Sequence, residues 1–139
     1  MAISALFLQA QAAPPPLTTV EVRIEGLRSE KGIVRACLTR DPKFFPHCEK
    51  DAGSHKLNIP TPQAALLRFT NVTPGDYAIT LLHDENGNAK LDTMLGIPKE
   101  GVGFSNNPRL IAGPPKFVAA RFQVESRPVS ATIVLKYFL

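Results

Sequence analysis

The sequence predicts an all-β fold, a two-layer antiparallel β-sandwich of prealbumin-like or immunoglobulin-like kind with about seven strands. Three observations predict it. Apolar and polar residues alternate with period two in six separate segments, the signature of strands with one buried face. Thirteen prolines and nine glycines are spread along the 139 residues as turn punctuation and form no single tract. No comparable window repeats apolar residues at i, i+3 and i+4 between caps, so helices should be no more than short turns.

In order, Val20, Val22 and Ile24 alternate with Glu21, Arg23 and Glu25. Gly32 then opens the segment 33–39, in which Val34, Ala36 and Leu38 share a face. A further strand fits the region 56–59. Ala65, Leu67 and Phe69 alternate with Leu66, Arg68 and Thr70, and a Pro74-Gly75 turn leads into Tyr77, Ile79 and Leu81. Toward the end, Val118, Ala120, Phe122 and Val124 read as one strand, and Ala131, Ile133, Leu135 and Tyr137 as the last.

Residues 18–139 make one domain, since this length encloses a single core. Ahead of it, 1–12 reads as the truncated remnant of a secretory signal. A short apolar run, Ala2 to Leu8, precedes a small-x-small site at Ala10-Gln11-Ala12. The run is too short to span a bilayer, so no transmembrane segment is expected. Residues 13–17 form a Pro-rich spacer. Export to the periplasm or beyond agrees with the two cysteines, Cys37 and Cys48, which read as one disulfide closing a short loop. A metal pair helped by His47 lacks a fourth ligand at suitable spacing.

The net charge of +4 comes from 16 basic and 12 acidic residues, with no two Lys or Arg adjacent and no Trp. Nucleic-acid binders gather basic residues into patches interleaved with stacking aromatics. That class is excluded, and a solvated, mildly basic surface remains.

The most informative stretch follows the fifth segment. The connection from Asp84 to Lys116 exceeds 30 residues, long enough to imply a functional role. It begins HDENGNAKLD (83–92), in which Asp84, Asn86, Asn88 and Asp92 occupy relative positions one, three, five and nine. Lys90, at position seven, offers a backbone carbonyl. Alternating carboxylate and amide oxygens at this spacing suit calcium, which takes six to eight oxygen ligands. Glu100 or water would have to complete the set. Two features depart from an EF-hand loop: Ala89 stands at the glycine position, and Leu95 stands where a bidentate Glu would close the site. The competing reading is a tight type I′ turn at Asn86-Gly87, with Asp and Asn side chains satisfying the loop backbone and no metal.

HDENGNAKLD (83–92), GIPKEGVGFSNN (96–107) and GPPKF (113–117), together with FTNVTPGDYAI (69–79) just before them, resemble the bacterial family known as DUF2141. The resemblance covers most of the chain. It implies an exported protein with a prealbumin-like sandwich and no established activity. Ala89 departs from the family string, which usually has Gly there, and Val102 stands where an aromatic residue is commoner.

Three functional expectations follow. The leading one is a non-enzymatic exported domain that binds an unknown protein or small ligand through the loop 83–107. Calcium would order that loop, and His83, Glu100, Ser105, Asn106 and Asn107 would line the ligand site. The second is a hydrolase or isomerase using His83, although adjacent His83 and Asp84 on a strand would point to opposite faces. The third is a structural envelope protein. The run 101–107 also reads as an Ω-type loop folded over Phe104.

Overall fold

The computed structural model describes residues 2–6 and 16–139. The expected cleavage site at Ala12 and most of the Pro-rich spacer lie outside the described residues. The all-β sandwich expectation is borne out. One sheet orders β10 (Val129–Val134), β1 (Thr18–Glu25) and β4 (Leu66–Val72). The other orders β3 (His55–Pro60), β2 (Ile33–Thr39), β5 (Gly75–Asp84) and β8 (Gly101–Phe104). β9 (Phe122–Val124) pairs with the start of β5, and β6 (Thr93–Met94) with β7 (Ile97–Pro98) forms a separate hairpin. Most pairings are antiparallel, but β1 and β10 run parallel.

The alternating residues meet as their period requires. Val20, Val22, Leu67, Phe69 and Ile133 from the first sheet pack against Val34, Leu38, Ile79 and Leu81 from the second, all nearly or fully excluded from water. A second, smaller core covers the outer face of β5. Ala78, Val102, Phe104 and Ala120 pack there with Phe45 and Phe117. Phe45 meets Phe104 and Phe117 edge-on, with centroids 5.9 and 5.8 Å away, a favoured aromatic geometry. The Cys37–Cys48 disulfide is present, with 6.1 Å between Cα atoms. It ties β2 to the excursion that carries Phe45.

This second core accounts for two departures from the sequence reading. The expected strand 118–124 is shorter, because Phe117–Ala120 forms one helical turn, α1. Phe117 and Ala120, three residues apart, thereby face the small core together, while Val118 is left 64% exposed. The expected Ω-type loop is instead strand β8, whose Thr80↔Phe104 and Leu82↔Val102 pairings lay Phe104 against Phe45.

Gly101 and Gly103 are what allow β8 to lie so close. A Cβ at Gly101 would stand 2.5 Å from the Tyr137 ring, and one at Gly103 would stand 2.8 Å from Ile133 Cγ2. The last segment crosses above these glycines, with Lys136 and Val102 exchanging backbone hydrogen bonds of 2.9 and 3.0 Å.

Candidate functional site

β5 delivers the site. Its last residues, His83 and Asp84, are both fully buried and point to opposite faces, as neighbours on a strand must. His83 Nε2 lies 2.8 Å from the Lys31 carbonyl, and Nδ1 lies 2.6 Å from the Tyr137 hydroxyl. A carbonyl oxygen only accepts, so Nε2 carries the proton and Nδ1 accepts from Tyr137. Both ring nitrogens are thus engaged inside the protein. His83 is a structural pin here, and the hydrolase or isomerase expectation, which needs an open imidazole, gains nothing from it.

Asp84 faces the other way. Arg35 Nε donates to its Oδ2 at 2.8 Å, Ala89 N–H donates to the same oxygen at 2.8 Å, and Asn88 N–H reaches Oδ1 at 3.3 Å. Burial alone would raise the pKa of Asp84, but these donors hold the carboxyl below the usual carboxylate range. Ala89 achieves its bond by adopting φ of 60°, the left-handed conformation that the sharp turn of a calcium loop ordinarily assigns to glycine. The metal-free turn of the competing reading is present, with Gly87 N–H donating to the Asp84 carbonyl at 3.3 Å, but it is not of type I′. Such a turn needs positive φ at both central residues, and of Asn86-Gly87 only Gly87 has it, at 68°.

The Asn side chains of the loop bond to backbone through their oxygens and to Asp92 through their nitrogens. Asn88 N–H donates to Asn86 Oδ1 at 3.2 Å, and Lys90 N–H donates to Asn88 Oδ1 at 3.0 Å. The Nδ2 groups of Asn86 and Asn88 both donate to the Asp92 carboxylate, at 2.8 and 2.9 Å. The β6–β7 hairpin then folds the chain back, so that Lys99 N–H donates to the Asp92 carbonyl at 2.8 Å. Glu100 is thereby returned to the loop. Its side chain is buried, 4% exposed, and its Oε2 has no hydrogen-bond partner.

Glu100 is pushed up to about 7 by its burial, the negative charges of Asp84 and Asp92, a hydrogen bond with Asp92, and the charge of Glu85. The neighbouring acids are not equally exposed to one another's charge. Asp84 is paired with Arg35, and Glu85 is held by Arg28 and by the Ser29 hydroxyl. The Arg28 hydrogen bond lowers Glu85, against a smaller opposing effect of burial. Among the described residues, neither Asp92 nor Glu100 makes an ion pair. A cleft of about 540 Å³ opens between Lys31 and Lys99, with Asn86, Asp92, Thr93 and Glu100 along it.

Of the expected oxygen donors, Asp84 is fully buried with both carboxylate oxygens engaged, Asn86 and Asn88 Oδ1 accept backbone N–H groups, and Asp92 accepts from both Asn amides, while Glu100 Oε2 has no partner. Among the described residues no three His, Cys, Asp or Glu stand together as a ready metal cluster. The Asn amides occupy the Asp92 oxygens instead.

Of the residues expected at the ligand site, only Glu100 reaches this cleft. Ser105 is buried, accepting from Ile79 N–H at 2.9 Å and donating to the Ala120 carbonyl. Asn106 donates to the Arg121 carbonyl at 2.8 Å. Asn107 bridges β10 by donating to Thr132 O and accepting from Val134 N–H. These three lock α1, β9 and β10 onto β8. Arg35, Gly32 and Tyr137, which build the site from behind, carried no motif that would single them out. Their importance arises from strand register.

Fold and loop together define a β-sandwich module with an acidic, amide-rich loop at one end of its larger sheet. The chain belongs to the family described as an uncharacterized protein conserved in bacteria (DUF2141), which matches residues 22–132. No curated protein and no solved structure matches it. Among the described residues no helix is long and apolar enough to cross a membrane.

Proposed function

We propose that the chain is an exported, non-enzymatic binding module whose loop 84–100 takes up a calcium ion, and that the ordered loop is the surface presented to a partner. The observation that carries this reading is Glu100, a buried side chain with an unpartnered oxygen that feels the negative charges of Asp84 and Asp92 and makes no ion pair of its own. Burying a charge in that way is costly unless something positive joins it. A divalent cation would supply that charge.

Asp84, Asn86, Asn88, Lys90 through its carbonyl, Asp92 and Glu100 provide six oxygens, the lower end of calcium's range. Rotation of the Asn amides away from Asp92 would free its carboxylate. Glu100 takes the closing role that Leu95 cannot, with the hairpin 93–98 inserted ahead of it. The mixed amide and carboxylate set favours calcium over magnesium, which demands near-octahedral geometry. The disulfide and the apolar N-terminal run support an extracytoplasmic location, periplasmic or secreted.

Calorimetric titration with calcium chloride tests the reading. The wild-type chain is expected to bind one equivalent, and Asp92→Asn to bind at least about tenfold more weakly. Equal heats from the two proteins would remove Asp92 from the site, and absence of heat from the wild type would overturn the reading.

A further inference from the structure

One guanidinium joins the two stems of the loop. Arg28 Nε and Nη2 both donate to Glu85 Oε1, at 2.9 and 2.5 Å, and Nη2 also donates to the Lys99 carbonyl at 3.1 Å. Glu85 directly follows Asp84, and Lys99 directly precedes Glu100. Arg28 therefore spans the chain at the two points next to the outermost acids of the loop. The Ser29 hydroxyl holds the other Glu85 oxygen at 2.8 Å.

The strand pairing leaves this work to a side chain. The β5–β8 ladder ends at His83↔Gly101, one residue short of both Asp84 and Glu100. The spacing of those two acids is thus set between the last ladder pair on one side and the Arg28 bridge on the other. Arg28 is itself anchored from behind. Its Nη1 donates to the Leu139 carbonyl at 2.6 Å, and its guanidinium carbon lies 4.5 Å from the centre of the Tyr137 ring. Tyr137 is fixed in turn by its 2.6 Å bond to the buried His83. A planar fork can hold a carboxylate and a carbonyl at once, which the point charge of a lysine does not reproduce. Glu100 Oε2 has no partner of its own, so the backbone at Lys99 governs where that oxygen can reach.

We infer that Arg28 is a positioning residue, which fixes the spacing of Asp84 and Glu100 so that both reach one calcium ion. The inference rests on the calcium reading above. Arg28 contributes no ligand, and being partly exposed it adds little to stability. Its effect falls on the geometry of the site.

The test compares the full wild-type chain with Arg28→Gln and Arg28→Lys by calcium calorimetry, by melting in chelator, and by terbium luminescence. Terbium is a hard cation that takes calcium's oxygen ligands, and its lifetimes in water and heavy water count the waters left on the ion. Loss of a group that orients a metal ligand typically weakens binding 10–100-fold. Arg28→Gln is expected to bind calcium at least about tenfold more weakly and to leave more water on terbium, as Glu100 withdraws. Its melting temperature in chelator should move by no more than about 4 °C. Arg28→Lys should resemble Arg28→Gln. Wild-type affinity and water count in Arg28→Gln would overturn the positioning role and spare the calcium site. Full recovery in Arg28→Lys would also overturn it, since charge alone would then suffice. So would weakened binding with an unchanged water count and a much lower melting temperature, the mark of a merely structural residue. A wild-type chain that binds neither calcium nor terbium removes the site and the inference together.

Discussion

Glu100→Gln is expected to raise the melting temperature of the calcium-free protein and to abolish its response to calcium. The two effects share one cause. The Glu100 carboxylate is buried among like charges, and its pKa is pushed from 4.5 to about 7. The folded chain therefore holds that proton more tightly than the unfolded chain does. Stability from this group is present below about pH 4.5 and declines as pH rises through about 7. Gln has the same shape without the charge, so above that range the variant should be more stable by about 1–3 kcal/mol. Its melting temperature should also lose the decline over that interval. Calcium affinity should fall at least about tenfold, because the closing carboxylate is gone. Melts at pH 5 and pH 8, with calcium and with chelator, check all three effects. A variant less stable than wild type at pH 8 would show that Glu100 is held by partners rather than opposed by its neighbours.

The second large effect is expected from Gly32→Ala, a substitution remote in sequence from the loop. Gly32 has φ of 69°, and a Cβ there would lie 2.0 Å from the Asp84 carbonyl and 2.6 Å from Glu85 Cα. Neither atom belongs to a flexible side chain, so backbone must move. The strained φ adds about 1–2 kcal/mol of its own. The total loss should be on the order of 3 kcal/mol, which lowers the melting temperature by about 10 °C. The displaced backbone carries Asp84, the first of the proposed ligands, so any calcium affinity should fall in the same variant. Gly87→Ala is the control: its φ of 68° is similarly left-handed, but nothing lies within 4 Å of an added Cβ. It should show the strain alone.

How far the sequence reading reached depended on which contacts each element makes. Where one face meets the main core and the other meets water, alternation is enough, and β1 and β4 stand where it placed them. β8 and α1 escape the alternation pattern because they serve the small outer core. Gly101 and Gly103 look like flexible-loop residues along the chain, whereas in space they make room for Tyr137 and Ile133. The parallel β1–β10 pairing has no local signal at all. In the loop, the spacing of Asp84, Asn86, Asn88 and Asp92 was legible, because neighbouring residues build it. The sequence offers Glu100 as a supplementary oxygen, but its burial and its missing partner depend on the hairpin turn at Leu95-Gly96. His83 drew attention as a reactive group, and only the fold shows both nitrogens engaged by Tyr137 and Lys31.

The most direct measurement is a thermal melt of the purified chain in millimolar calcium, in chelator and in magnesium. At calcium about 100-fold above the dissociation constant, binding to the folded state alone adds about 2.7 kcal/mol. The midpoint should then rise by about 5–10 °C, reverse with chelator, and rise far less in magnesium. Identical midpoints in calcium and chelator, or an equal rise in magnesium, would contradict a calcium site in the loop 84–100.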